Sequence, residues 1–254
     1  MNALFVAWRS GEDQHAGWGP VGRLEHDGSL YRFYYTHGAR TMAGFRPFSQ
    51  MESLDAIYES EELFPLFANR LLSESRPEYE AFLTWAGFDP AQQPDPIALL
   101  GVTEGIRQTD AIEVFPCPIP DGDGCYTSKF FLHGIRWMPT AAVDRIHRLH
   151  PNEQLFLMPD PYNRFDPNAV GVRTENERTL IGYVPRYLAH DVCQLLDGCA
   201  RDYIELIVDR VNRDAPLQQR MLCRMRACWP NEFEPYRSQA FQPIPHGLSV
   251  QCHH

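Results

Sequence analysis

Met158-Pro159-Asp160-Pro161-Tyr162-Asn163-Arg164-Phe165-Asp166-Pro167-Asn168-Ala169-Val170 sits between two apolar runs, Gln154 to Met158 and Val170 to Val172. Hydrophobic runs broken by a cluster of Pro, Asn and Asp are the pattern of strand, structured loop, strand. Within the loop stand two aromatic rings, Tyr162 and Phe165, the amides Asn163 and Asn168, the cation Arg164, and the carboxylates Asp160 and Asp166. Such a set can stack on a planar ring and hydrogen-bond its polar edge. It can equally form a rigid turn in which Asn and Asp satisfy only their own backbone. Residue types alone leave both open.

Outward from the loop, Lys129 to Leu132 predicts a strand ending in Gly134-Ile135-Arg136-Trp137, followed by a short helix or turn over Ala141 to Leu149. Downstream, Ile181-Gly182-Tyr183-Val184-Pro185 leads into a predicted helix from Arg186 to Leu196, with Gly198 as its stop. Residues 203 to 211 and 221 to 229 have the composition of strands. The second alternates Met221, Cys223, Met225, Ala227 and Trp229 inward with Arg224 and Arg226 outward. Residues 231 to 254 carry prolines without periodicity, which predicts a loosely held tail.

With these blocks in this order, the segment from about 129 to 230 resembles the HIRAN domain. That family is a small modified OB-like β-barrel, found ahead of eukaryotic fork-remodelling ATPases and as a separate module in bacteria. The resemblance implies capture of single-stranded DNA at a 3′ end. Carried onto this sequence, it makes Trp137 a base-stacking ring, with Arg136 beside it for a phosphate or the pocket rim. Asn163, Phe165 and Asp166 match the family's Asn-x-aromatic-Asp. Phe165 would then supply the second face of a base sandwich, and Asp166 would accept a hydrogen bond from a free 3′ hydroxyl. An internal phosphodiester has no such proton and would set a phosphate charge against the carboxylate. Tyr162 belongs to the same DNA-binding set, and Tyr183 and Arg186 stand where the family offers a polar ring and a cation for backbone phosphates. The sequence departs from the family in three ways: Phe165 lacks the usual Tyr hydroxyl, Tyr162 and Arg164 replace Asn and Pro of animal members, and Tyr183 replaces a His.

The first half carries different signals. Ala3 to Trp8 predicts a strand, and Pro20 to Tyr35 a hairpin turning on Asp27-Gly28. In its second arm Tyr31, Phe33 and Tyr35 share one face, suited to core packing or to a stacking platform. Helices are predicted over Leu54 to Tyr58 with Ser53 as cap, over Glu61 to Leu72, from Arg76-Pro77 to a stop at Gly87, and from Asp95-Pro96 to Glu104. Ala111 to Phe115 then predicts a strand. The blocks Gly22 to Leu24, Tyr31 to Tyr35, Leu63 to Glu74 and Ala98 to Val114 resemble the N-terminal subdomain of HipA-type toxin kinases, although no kinase core follows here. The expected fold is α+β. A HipA-N-like domain over 1–120 and a six-stranded OB-like HIRAN barrel over 125–230 flank the turn-rich link Pro118 to Gly124, and a flexible tail covers 231–254.

Net charge is −10, which by itself argues against a nucleic-acid partner. The acidity is uneven: 8 Arg face 19 acids in residues 1–128, while 8 basic residues face 6 acids in 129–190. Lys129 is the sole lysine, so phosphate or base contacts fall to arginine, which can stack and bind in bidentate fashion. Seven cysteines without metal-ligand spacing predict free thiols, and Cys252-His253-His254 lies on a polar tail. No run is long and apolar enough to span a membrane, which suggests a cytoplasmic protein. No catalytic constellation, metal site or cofactor motif emerges. The expectation is a non-enzymatic module in DNA repair or phage defence, whose HIRAN barrel holds single-stranded DNA and whose acidic N-terminal domain engages a protein partner. The alternative is a regulatory subunit of a toxin or kinase system without DNA binding; a cryptic hydrolase is a third.

Overall fold

The computed structural model describes residues 2–9, 17–107, 110–199, 203–244 and 248–252. In chain order, β1 (Asn2–Arg9), β2 (Trp18–His26) and β3 (Tyr31–Tyr35) precede α1 (Gly38–Thr41), β4 (Ala56–Ser60), α2 (Pro65–Ala68), α3 (Tyr79–Trp85), α4 (Pro96–Thr103) and β5 (Ile112–Pro116). Then come β6 (Cys125–Phe131), α5 (Thr140–His147), β7 (Gln154–Pro159), β8 (Val170–Thr174), β9 (Leu180–Tyr183), α6 (Arg186–Gly198), β10 (Ile204–Val211), β11 (Met221–Cys228) and β12 (Leu248–Gln251). These elements form two compact units interleaved along the chain. The first holds the chain up to Arg76, Pro94–Cys117 and the part from Tyr236 on; the second holds Pro77–Gln93 and Pro118–Pro235.

The first unit is a six-stranded sheet in the order β12-β4-β3-β2-β1-β5. Its hairpin turns at Asp27-Gly28, where the Asp27 carboxylate accepts the amides of Leu30 and Ser29, both at 3.0 Å, and Gly28 takes φ +102°. Those two amides hold the Asp27 carboxyl well below the usual carboxylate range. Tyr31, Phe33 and Tyr35 lie buried among Phe48, Tyr58 and Phe67, so this aromatic face is core and not a platform.

Three expectations for this unit differ from the structure. Residues 56–60 form strand β4, with Ala56, Tyr58 and Ser60 inward, because a period of two over so short a run resembles a helical turn in sequence. The helix expected over Glu61 to Leu72 is only Pro65–Ala68. Just past it Arg70 turns inward, its side chain 1 % exposed, where it donates to the carbonyls of Gly105 and Ile112 and grips both oxygens of Asp110. The tail expected to hang loose packs instead: Tyr236 and Phe241 meet the Phe5 ring edge-on, Ile244 is buried, and β12 pairs in parallel with β4. Its apolar residues are spaced without a period, so pattern alone conceals them. By contrast Asp95 caps α4 as expected, accepting the Ile97 amide at 3.0 Å.

The second unit is an antiparallel sheet in the order β6-β11-β10-β7-β8-β9, curled into a half-barrel. The expected six-stranded OB-like barrel thus takes the form of a half-barrel with all six strands present. It closes at one corner, where His133, just past β6, and Tyr183 of β9 exchange two backbone hydrogen bonds of 2.9 Å. Inside pack Tyr126, Phe130, Leu155, Val172, Ile181, Val192 and Met225. Helix α3 belongs here: Asn212 Nδ2 donates to the carbonyls of Trp85 at 3.0 Å and Gln219 at 2.7 Å. Two of the cysteines expected as free thiols, Cys199 and Cys228, form a disulfide, the ends of α6 and β11 bringing their Cα atoms to 6.4 Å. A separation of 29 residues carries no local signal of such a pair.

Backbone approach at the closing corner demands glycine at 182. A Cβ there would stand 2.6 Å from the His133 carbonyl oxygen and 2.7 Å from Leu132 Cγ. Gly182→Ala is expected to destabilise this unit by about 1–3 kcal/mol, read as a lower urea midpoint; an unchanged midpoint would show that the corner yields.

Candidate nucleic-acid interface

The closing corner positions two parts of the candidate site, the turn that carries Trp137 and the ring of Tyr183. After His133 the chain passes through Gly134, whose φ of +74° turns it into a single 3₁₀ turn, Ile135–Trp137. Trp137 donates its amide to the Gly134 carbonyl at 2.9 Å. Ile135 is the buried foot of this turn, which leaves Arg136 and Trp137 outside. The indole is 73 % exposed, so Trp137 does not belong to the core. Arg136 lies over it, its guanidinium carbon 4.5 Å from the ring centroid, and covers one face by cation–π attraction.

Between β7 and β8 the loop is held by a compact set of hydrogen bonds. Asp160 donates its amide to the Ala169 carbonyl at 2.8 Å, closing the loop at its base. Asn163 sits at the centre: its Oδ1 accepts the amides of Phe165 at 3.0 Å and Asp166 at 3.3 Å, and its Nδ2 donates to Asp160 Oδ2 at 3.0 Å. The Tyr183 hydroxyl donates to that same oxygen at 3.1 Å. Asp166 Oδ1 accepts the Asn168 amide at 2.9 Å, and its Oδ2 faces Arg186 Nε at 3.9 Å. Burial, followed by the bond to Asp160, raises the Tyr183 phenol above its ordinary range. The Cys193 thiol of α6, which lies 3.6 Å from the Asn168 carbonyl, is likewise raised, by burial first and then by Asp197 and Asp166.

The eight residues singled out from sequence therefore separate into groups. Asn163, Phe165, Asp166, Tyr183 and Arg186 belong to one bonded assembly, while Arg136 and Trp137 form a stacked pair that reaches it through His133 and Tyr183. Phe165 is 63 % exposed and Tyr162 92 % exposed, both on this loop. Sequence reasoning missed the role of Asp160, which orients both Asn163 and Tyr183. Its one signal was its place between two prolines, Pro159 and Pro161. Among the described residues no group of three or more His, Cys, Asp or Glu could hold a metal ion, and no helix is long and apolar enough to cross a membrane.

Residues 125–226 match the family model described as HIRAN domain. Among solved structures the chain is similar to the HIRAN domain of human HLTF, at 18 % identity and a TM-score of 0.34, covering 49 % of this chain and 99 % of that one. It is also similar to a protein from Lactobacillus plantarum solved as a structural genomics target, at 20 % identity and a TM-score of 0.32, covering 41 % and 97 % respectively. No curated protein matches the chain.

Asn163→Ala removes three hydrogen bonds from the loop at once. The expected loss is about 1–3 kcal/mol of local stability, measured as faster hydrogen exchange at the amides of Phe165 and Asp166. Unchanged protection at both would mean that Asn163 does not organise the loop.

Proposed function

We propose that the second unit binds single-stranded DNA and takes its terminal nucleotide, at a 3′ end, between Trp137 and Phe165. One observation carries this reading: both rings stay mostly in water, at 73 % and 63 %, on segments pinned by hydrogen bonds beneath them. Large apolar rings held rigidly in solvent are surfaces for a planar partner. Each base stacked on such a ring contributes about 1–3 kcal/mol. Arg136 already covers one face of Trp137, so a base stacks on the other. A 3′ hydroxyl donates to Asp166 Oδ2, while Arg186 and Arg136 meet phosphates. Phe165 keeps the stacking surface that Tyr would offer without its hydroxyl. The acidic first half, which resembles the N-terminal subdomain of HipA-type kinases, engages a protein partner. Together the halves act as a non-enzymatic cytoplasmic module that brings DNA ends to a repair or phage-defence partner.

A second reading, an interaction subunit that has lost its ligand, is favoured by one feature. Both oxygens of Asp166 already have protein partners, the Asn168 amide and Arg186.

Oligonucleotides with a free or a phosphorylated 3′ end separate the two. Tight binding to the free end alone is expected, with Trp137→Ala or Phe165→Ala each weakening it by about 1–3 kcal/mol. Asp166→Asn retains an oxygen for the loop and is expected to abolish the preference between ends. Equal binding of both ends by the unmodified protein removes the role given to Asp166, and no binding favours the interaction subunit.

A further inference from the structure

Away from the loop, the solvent side of β7, β8 and β9 carries a continuous row of partly exposed groups. Strand register sets Met158, Gly171 and Tyr183 side by side across the three strands, and sets Phe156 opposite Arg173 two residues along. Leu180 joins the same side, for a Cβ on Gly171 would stand 2.8 Å from Leu180 Cδ1 and 3.4 Å from Met158 Cε. Glycine at 171 thus lets both side chains settle onto the strand. The opposite side of these strands buries Leu155, Val170, Val172 and Ile181. The outer row is therefore not needed to fill the core, yet it is apolar where a solvated face would be polar. Met158 is 39 % exposed and Phe156, Arg173 and Leu180 are half-buried. The Arg173 guanidinium lies over the Phe156 ring at 4.6 Å and donates to the Thr174 carbonyl at 3.0 Å. At the far turn, Glu177 faces Arg145 at 3.4 Å and Arg148 at 3.6 Å, so its charge is answered within the protein.

Two observations select the occupant. The row begins at Tyr183, the residue tied to the base of the candidate loop through Asp160, so it continues that interface. It also pairs flat apolar surface with a cation, which matches a chain of bases on a phosphate backbone. We propose that the strand behind the terminal nucleotide runs along this row, its bases and sugars over Met158, Leu180 and Phe156 and a phosphate against Arg173. This deepens the terminal-nucleotide reading and rests on it.

The test uses the full chain and fluorescent oligothymidylates with free 3′ ends, about two and about eight nucleotides long, bracketing the lower site sizes of OB-like folds. The longer strand is expected to bind roughly five- to a hundredfold tighter. Arg173→Gln and Phe156→Leu are each expected to remove most of that gain and leave the short strand's affinity unchanged. Arg173→Gln should also lower the slope of log affinity against log salt by about 0.7 for the longer strand. Equal affinity for both lengths in the unmodified protein overturns the track while leaving the terminal site standing. So does a gain that survives Arg173→Gln, a surface change that keeps the fold even where Phe156→Leu does not. If neither strand binds, the terminal-nucleotide reading falls and the track falls with it.

Discussion

The paired backbone hydrogen bonds between His133 and Tyr183 are the constraint on which the second unit's arrangement depends. A six-stranded antiparallel sheet has two edges, and here they meet at this one corner. The meeting requires glycine on both sides: Gly182, so that the backbones can touch, and Gly134, in the left-handed conformation, so that the chain can turn away at once. Because the turn is immediate, Trp137 emerges beside the corner and not inside the sheet. Because Tyr183 is held there by its backbone, its hydroxyl can serve as a fixed donor to the loop across the way.

That loop illustrates how a segment with little core of its own is ordered. Asp160, Asn163 and Asp166 satisfy backbone amides and each other, so a single conformation is specified by polar contacts. The side chains left over, Tyr162, Arg164 and Phe165, have no structural duty and face solvent. The two accounts suggested by composition, a self-satisfied turn and a ligand surface, are thus compatible: the amides and carboxylates make the turn, and the rings are what it displays.

Legibility followed from how local each signal was. The Asp27-Gly28 hairpin, the Asp95-Pro96 helix start and the alternation of β11 each depend on neighbours in sequence, and each stands as expected. Asn163, Phe165 and Asp166 were likewise visible as one motif. What escaped were features created by distant partners. Arg70 is drawn inward by Asp110 and by carbonyls some forty residues away, which ends a helix that periodicity would continue. Ile244 and Phe241 find their pocket only once β1 and β3 exist. The bond between Cys199 and Cys228 and the orienting role of Asp160 belong to the same class, since neither has a spacing that announces it.

The alternation of the two units along the chain bears on the order in which they can be completed. A ribosome delivers α3 long before the half-barrel that receives it, and delivers β12 after every other strand named here. The second unit has all its parts once Pro235 has emerged, whereas the sheet of the first must wait for Gln251. The later-lying body is thus fully encoded ahead of the earlier one, the reverse of a chain whose leading domain is complete before its trailing one begins.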